Sequence, residues 1–269
     1  MIHNVLSIAG SDPSGGAGIQ ADLKTFAANG VYGMAALTAL TAQNTQGVRG
    51  VERVAPGFVQ AQIAAVFADI RVDAVKIGMI ADAEIAGAVA EVLADKRDAP
   101  IVLDPVMIAK GGAPLLHPEA VDVVRTALLP LAQVITPNLP EAAHLLGQPV
   151  ASTRDEMVQQ AEALAALGPR AVLVKGGHLD GADSPDVLWA DGQAHWFEGA
   201  RTPGKNTHGT GCTLSSALAA NLAKGLPVAQ ATRVAKTYVA QAIAQAGALS
   251  VGIGHGPIHH FHGLWAETT

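Results

Sequence analysis

The chain has 269 residues, 49% of them hydrophobic but only 4% aromatic, so one domain over 1–269 can bury a sizeable core of Ala, Val, Leu and Ile. A formal charge of -6 excludes nucleic acid or an anionic membrane as main partner, since both need a basic face. It leaves phosphorylated ligands open, because backbone N–H groups and one or two lysines suffice to hold them. The single cysteine excludes an intrachain disulfide, no apolar run is long enough to span a bilayer, and the N-terminus does not read as a signal peptide; the expectation is a cytoplasmic protein.

The predicted elements alternate strand and helix. A buried strand over 5–9 ends in a glycine-rich turn, and Ile19, Leu23 and Phe26 then recur at helical spacing. A strand is predicted over 32–40, then a helix over 56–69 started by Pro56, a strand over 74–77 and a helix capped by Asp82 running to about Ala94. Strands over 101–103 and 134–136 follow. Helices over 140–146 and 153–167 precede a strand over 171–174. The Asp191-Gly192 pair between 186–190 and 193–198 signals a hairpin, and helices over 211–222 and 228–246 complete the pattern. This alternation predicts an α/β layered sandwich with a mostly parallel sheet and an antiparallel hairpin at one edge.

The first glycine turn, Asp104, Asn138 and Lys175 each come directly after a predicted strand. In open α/β sheets ligands bind outside the carboxyl ends of the strands, so four strand ends point their chemistry at one crevice. The turn Gly10-Ser11-Asp12-Pro13-Ser14-Gly15-Gly16-Ala17-Gly18 lets backbone approach a ligand closely and leads into a helix start with free N–H groups. It is not a Walker A loop, and a tight strand-to-helix turn explains it equally well. Asp22, one residue off the apolar face of the following helix, reads either as a helix-dipole carboxylate or as a group reaching a ligand hydroxyl or ring amine.

The segment 206–217, NTHGTGCTLSSA, exposes backbone N–H groups where an apolar helix begins, an arrangement suited to a transferring phosphoryl group. Cys212 falls in the first turn, where a helix N-terminus lowers a thiol pKa. It is expected to act as a thiolate base, with a plain buried cysteine as the alternative. Asp104 and Glu141 follow strands and suit a hydrated magnesium ion; Glu141, three residues after Asn138, also fits a helix capping box. Lys175-Gly176-Gly177-His178 suits a phosphate or nucleotide loop, or a surface lysine before a turn. His255, His259, His260 and His262 have no cysteine or paired carboxylate beside them and read as a packed or solvated tail rather than a metal site.

Taken in order, the segments GSDPSGGAGIQADLKTF, TALTAQNT, VDAVKIGM, VLDPVM, ITPNLPEA, LVKGGH and NTHGTGCTLSSA closely resemble the hydroxymethylpyrimidine/phosphomethylpyrimidine kinases of thiamine biosynthesis, in the ribokinase-like superfamily. The resemblance runs from about residue 5 to about residue 261. It implies a three-layer α/β/α sandwich and two successive phosphorylations by ATP and Mg²⁺. The first falls on 4-amino-5-hydroxymethyl-2-methylpyrimidine, and the second converts the monophosphate to the diphosphate. By this resemblance Gly10, Asp22, Gln43 and Met79 line the pyrimidine site, with Val106 on its apolar wall. The Gln43 amide has the donors and the acceptor that an aminopyrimidine edge needs. Gly209, Thr210, Gly211 and Cys212 form the anion hole, the cysteine standing where many relatives of the superfamily carry aspartate. Lys175, Asp104, Asn138, Glu141 and Thr207 face the phosphates, and Asp104 and Glu141 hold magnesium through water. A homodimer is implied too, although no segment of the sequence reads as its interface. The stretch Thr202-Pro203-Gly204-Lys205 is looser than the family pattern, which bears on nucleotide contacts.

Three other readings compete. Pyridoxal kinase shares the fold and also takes a hydroxymethyl-bearing heteroaromatic ring; Gln43, Met79 and Val106 favour the pyrimidine. A pyrimidine-sensing module on the same scaffold would have no need of the anion hole. A dinucleotide oxidoreductase fits least, for no clean GxGxxG with a downstream ribose-binding acid is present.

Overall fold

The computed structural model describes residues 1–96, 98–107, 118–202 and 204–265. Among them nine strands form one sheet in the order β3-β2-β1-β4-β5-β6-β7-β8-β9. The strands are β1 Asn4–Ser11, β2 Tyr32–Asn44, β3 Gly47–Arg53, β4 Ala74–Ile77, β5 Ile101–Leu103, β6 Val134–Ile135, β7 Ala171–Lys175, β8 Asp186–Ala190 and β9 Gln193–Phe197. The run from β2 through β7 is parallel, while β3, β8 and β9 pair antiparallel.

Side chains alternate across the strands, so each strand feeds two cores. Leu6 and Ile8 join Val59, Ile63, Val89, Leu93 and Leu164 on one face. These come from α2 Pro56–Asp69, α3 Ala83–Leu93 and α6 Arg154–Ala165, a layer that also holds α4 Pro118–Val123 and α5 Leu139–Leu146. Val5 joins Phe26, Leu214, Leu218 and Val239 on the other face, from α1 Gly18–Ala28, α7 Thr210–Ala223 and α8 Val228–Ala244. The result is the expected three-layer α/β/α sandwich. The chain moves from β1 to β2 on one side and then returns past β1 to β4 on the other. The strand order therefore reverses beside β1, and such a switch point opens a crevice at the strand C-termini.

Several elements lie where the sequence puts them, including α2, β4 and β5 over the predicted spans. Asp82 caps α3 by accepting from the Ile85 N–H at 2.8 Å, and Asp191 and Gly192 both take positive φ, +51° and +74°, as a two-residue hairpin requires. Three features differ. Antiparallel strands flank both edges of the sheet, not one, because β2 continues to Asn44 and turns back into β3. That strand is mostly exposed and offers no apolar run to read. The helical stretch from α4 through a π turn over Val124–Leu128 to a 3₁₀ turn over Leu129–Leu131 changes period twice, which breaks a single helical repeat. The strand expected over 134–136 keeps only two residues.

Candidate active site

A cavity of about 1770 Å³ opens at the C-terminal strand ends. Gly10, Gln43, Met79 and Val106 line one end. Asp104, Asn138, Glu141, Lys175, Thr207 and the turn Gly209 to Cys212 line its middle, and Lys236 and Ile243 the far end. One predicted site residue, Asp22, is not among the lining.

At the first end β1 runs into the glycine turn. A Cβ on Gly10 would collide with Met79 Cε, so glycine lets the Met79 side chain lie against the backbone. Asp12 organises the turn, accepting from the N–H and hydroxyl of Ser14 at 2.9 and 2.7 Å and from the Ala17 N–H at 2.9 Å. Its carboxylate also meets His208 Nε2 at 2.8 Å, and Gln43 Nε2 lies 3.3 Å from the same imidazole nitrogen. Burial pushes the Asp12 pKa up, but the bonds from His208 and Ser14 outweigh it and hold the carboxyl below its ordinary value. An acid, an imidazole and an amide from three distant segments thus form a wall of the pocket. Asp12 and His208 lie inside the glycine motifs, yet their pairing spans 196 positions and leaves no local signal.

The middle of the cleft gathers a helix start, a lysine and two carboxylates. Gly209 sits at φ +81° with its Cα against the Gly16 carbonyl; a side chain there would be strained and would collide with that oxygen. No side chain caps α7 and its first turn lines the cleft, so its N–H groups and dipole face it, with the Thr210 N–H also meeting the Thr207 carbonyl at 3.4 Å. Lys175 lies on the neighbouring strand end, its Nζ 3.0 Å from Asp104 Oδ1, and Asp104 also receives the Thr136 hydroxyl at 3.2 Å. Burial alone would lower the Lys175 pKa, but Asp104 and Glu141 reverse this and keep the ammonium charged above the usual lysine range.

Glu141 and Asn138 form the capping box of α5: the Asn138 side chain accepts from the Glu141 N–H at 2.9 Å, and Glu141 Oε2 accepts from the Asn138 N–H at 2.8 Å. Burial raises the Glu141 pKa to about 7, opposed by Lys175 and assisted by the nearby Asp104 charge. No three His, Cys, Asp or Glu side chains converge into a metal cage among the described residues. Two carboxylates facing one ammonium leave this part of the cleft short of positive charge, which fits a magnesium ion that keeps most of its waters.

Two expectations are corrected. Asp22 neither reaches the pocket nor lies in the first turn of α1; it is wholly buried. Both its oxygens accept from Lys76 Nζ at 2.8 and 2.9 Å, and the hydroxyls of Ser7 and Ser216 donate at 2.6 and 2.7 Å. The carboxylate is satisfied from within and has no free lone pair to offer a ligand. The sequence signal for this pair is Lys76 itself, a lysine inside the apolar run VDAVKIGM, since buried lysines need a partner. The second correction concerns Cys212. Burial pushes its thiol up to about 11 instead of lowering it; Lys76 and the Gly18 N–H pull the other way without prevailing. At neutral pH the thiol keeps its proton.

At the far end the Arg201 guanidinium binds backbone rather than acid, donating to the carbonyls of Gly177, Leu179 and Gly181 at 2.8, 2.6 and 3.1 Å. It thereby shapes the rim that follows β7. Lys236 meets Asp186 at 2.6 Å beside it, and Asp186 in turn holds the Gly176 N–H at 3.0 Å. Pro203, in the stretch that departs from the family pattern, lies outside the described residues. The C-terminal histidines belong to a packed segment: His255 bonds the Thr45 carbonyl through its N–H, and His259 and His260 are buried.

A mostly parallel sheet between two helix layers, with a glycine-started helix and a charged lysine at the strand ends, defines a ribokinase-like small-molecule kinase. The phosphomethylpyrimidine kinase family model matches residues 12–259, and the chain belongs to that family. It is 54% identical over 262 residues to the hydroxymethylpyrimidine/phosphomethylpyrimidine kinase of Salmonella typhimurium, covering 97% of this chain and 98% of that one. Among solved structures, the phosphomethylpyrimidine kinase of Clostridium difficile 630 matches with 45% identity and a TM-score of 0.80, over 90% of this chain and 99% of its own. The pyridoxal kinase of Bacillus subtilis, solved as an ADP complex, matches with 39% identity and a TM-score of 0.88, over 97% and 98%. No helix among the described residues is long and apolar enough to cross a membrane.

Proposed function

We propose that this chain phosphorylates 4-amino-5-hydroxymethyl-2-methylpyrimidine with MgATP, and then phosphorylates the monophosphate to the diphosphate. One observation carries the reading: the uncapped first turn of α7 and the Lys175 ammonium face the same cleft, at whose end Met79 and Val106 stand beside the polar wall of Gln43, His208 and Asp12. In the reaction, Gln43 orients the ring edge and Met79 and Val106 cover its faces. The N–H groups of Gly209 to Cys212 hold the oxygens of the transferring phosphoryl group, and Lys175 neutralises charge that spreads over them. Thr207 and Asn138 border the phosphate path. Asp104 and Glu141 would hold magnesium through its waters, and the ion would supply charge neutralisation of the triphosphate. The chain works as a homodimer in the cytoplasm.

Phosphoryl transfer passes through a loose transition state and asks mainly for positioning and charge stabilisation. A protonated Cys212 suits that demand, because the substrate hydroxyl needs no resting thiolate beside it. The thiol acts as a hydrogen-bonding wall of the anion hole. Cys212→Ser then keeps its rate within about tenfold while Cys212→Ala loses more; equal, near-total losses in both would return the base role to the thiolate.

A second reading has its own support, for the B. subtilis pyridoxal kinase shares 39% identity over 97% of the chain. An ADP-release assay with MgATP, offering the hydroxymethylpyrimidine, its monophosphate and pyridoxal separately, decides between them. Turnover of the two pyrimidines with pyridoxal much slower is the expected result. Turnover of pyridoxal alone overturns the assignment, and silence on all three leaves a binding module.

A further inference from the structure

The segment after α8 returns to the active site from behind. The His208 N–H donates to the Gly256 carbonyl at 3.0 Å and the Ile258 N–H to the His208 carbonyl at 3.4 Å, so the tail pairs with the residue just before Gly209. Gly256 is required for this approach, since a Cβ there would meet Asn206 Oδ1 at 2.5 Å. Beyond the pairing, Ile258 and His260 are buried, and the Tyr238 hydroxyl fixes the His260 carbonyl at 2.6 Å. The His260 imidazole points at the first turn of α7: its Nε2 lies 3.1 Å from Thr213 Oγ1, and that hydroxyl lies 2.8 Å from the Gly209 carbonyl.

Proton counting sets the direction of this chain. Thr213 has one hydroxyl proton, and the shorter contact to Gly209 takes it. Toward His260 the hydroxyl then accepts, so the imidazole is the neutral tautomer with its proton on Nε2. Burial holds the ring neutral, lowering its pKa to about 4, with Lys24 adding to the effect. An apolar side chain would fill the same space without the desolvation cost of an imidazole. What the imidazole adds is one donor, aimed at the turn that forms the anion hole.

We propose that His260 is a positioning residue for phosphoryl transfer, acting through Thr213 on the Gly209 carbonyl to hold the α7 N–H groups at the angle the transferring phosphoryl group needs. The inference rests on the kinase reading above. His260 touches neither substrate nor nucleotide in this scheme. Its loss therefore removes transition-state stabilisation and leaves ground-state binding alone, which lowers kcat and spares KM.

The test is steady-state kinetics on the full chain with MgATP and the hydroxymethylpyrimidine. His260→Leu is expected to lower kcat about tenfold with both KM values unchanged. His260→Gln, which carries an amide N–H into nearly the same place, recovers most of the rate, and a merely structural histidine would not be rescued in that way. Thr213→Val falls as far as His260→Leu, and the double variant falls no further, because both break one chain. A folded His260→Leu enzyme at full kcat overturns the proposal, as do losses in the two single variants that multiply in the double. Should His260→Leu fail to fold, Thr213→Ser against Thr213→Val decides: the hydroxyl must be what preserves the rate. A wild-type chain that turns over no substrate overturns the kinase reading and this inference with it, whereas an active wild type with an indifferent His260 overturns this inference alone.

Discussion

Two of the lysine–aspartate pairs along the cleft differ in almost every respect. Lys76 and Asp22 are both wholly buried, with two bonds between them of 2.8 and 2.9 Å and two short serine bonds completing the carboxylate. Lys175 and Asp104 share one bond of 3.0 Å, their supporting contacts from Thr136 and Ser215 are 3.2 and 3.4 Å, and Lys175 keeps 16% of its side chain exposed. The first pair is balanced, one charge against one, and its carboxylate is closed off from the cleft that Lys76 borders. The second faces an extra carboxylate, Glu141, and opens on the first turn of α7. A carboxylate whose bonds are all short and internal has nothing left for a ligand. A pair with long bonds, surplus negative charge and an accessible ammonium has capacity left for an anion and a cation.

Breaking the closed pair gives the largest effect on stability. Lys76→Met leaves a buried carboxylate unpaired and is expected to cost about 3–5 kcal/mol of unfolding free energy in urea titration. The double variant Lys76→Met/Asp22→Leu, with neither charge, recovers most of it. A single variant as stable as wild type would mean that the pair is not closed. Lys175→Met differs in kind. It also lowers stability, because Asp104 is only 2% exposed and loses its cation, but unlike Lys76→Met it loses about 100–1000-fold in kcat, the scale expected for removing one charged donor to a transition state. Comparable losses in both assays for both variants would erase the distinction.

The surplus charge at the open pair has a pH signature. Glu141 titrates at about 7 in the folded chain against 4.5 for an ordinary glutamate, raised by burial first and then by Asp104. A carboxyl whose folded pKa is raised binds its proton more tightly when folded. Its contribution is therefore fully present below about pH 4.5 and is lost as the pH climbs to about 7. Glu141→Gln keeps the capping geometry but removes this titration. In magnesium-free buffer the wild type should lose stability relative to Glu141→Gln between those two pH values. Parallel profiles would show that the carboxylates are already balanced.

The fold and the place of the site were legible because they follow from local pattern. Each central strand is an apolar run that ends in Asp104, Asn138, Lys175 or a glycine turn, and parallel topology forces such ends to one side of the sheet. What was illegible depends on pairing at a distance. Asp22 looked like a ligand-binding acid because its partner lies 54 positions away on a strand. His208 and Asp12 sat in recognised motifs without a sign that they touch. Cys212 was placed correctly at the start of α7, but its ionisation is decided by burial, which the helix N-terminus alone does not reveal. The strand β3 was missed because an exposed edge strand needs no apolar alternation.

Two neighbouring serines give the smallest and cleanest version of the comparison. On α7, Ser216 donates to Asp22 at 2.7 Å, while Ser215 reaches Asp104 only at 3.4 Å and also contacts the Gly211 and Cys212 carbonyls at 3.0 and 3.1 Å. A bond to a buried charge is worth about 1.5–3 kcal/mol, so Ser216→Ala should lower the unfolding free energy from urea titration by that much and leave kcat alone. Ser215→Ala removes one long contact to Asp104, whose other partners remain, and helix carbonyls already bonded within α7. It should change stability by less than about 0.5 kcal/mol. Its readout is kinetic instead, a modest fall in kcat as Asp104 and Lys175 drift from the anion hole. If Ser216→Ala were the kinetically damaged variant and Ser215→Ala the unstable one, the closed and open pairs would have to exchange roles.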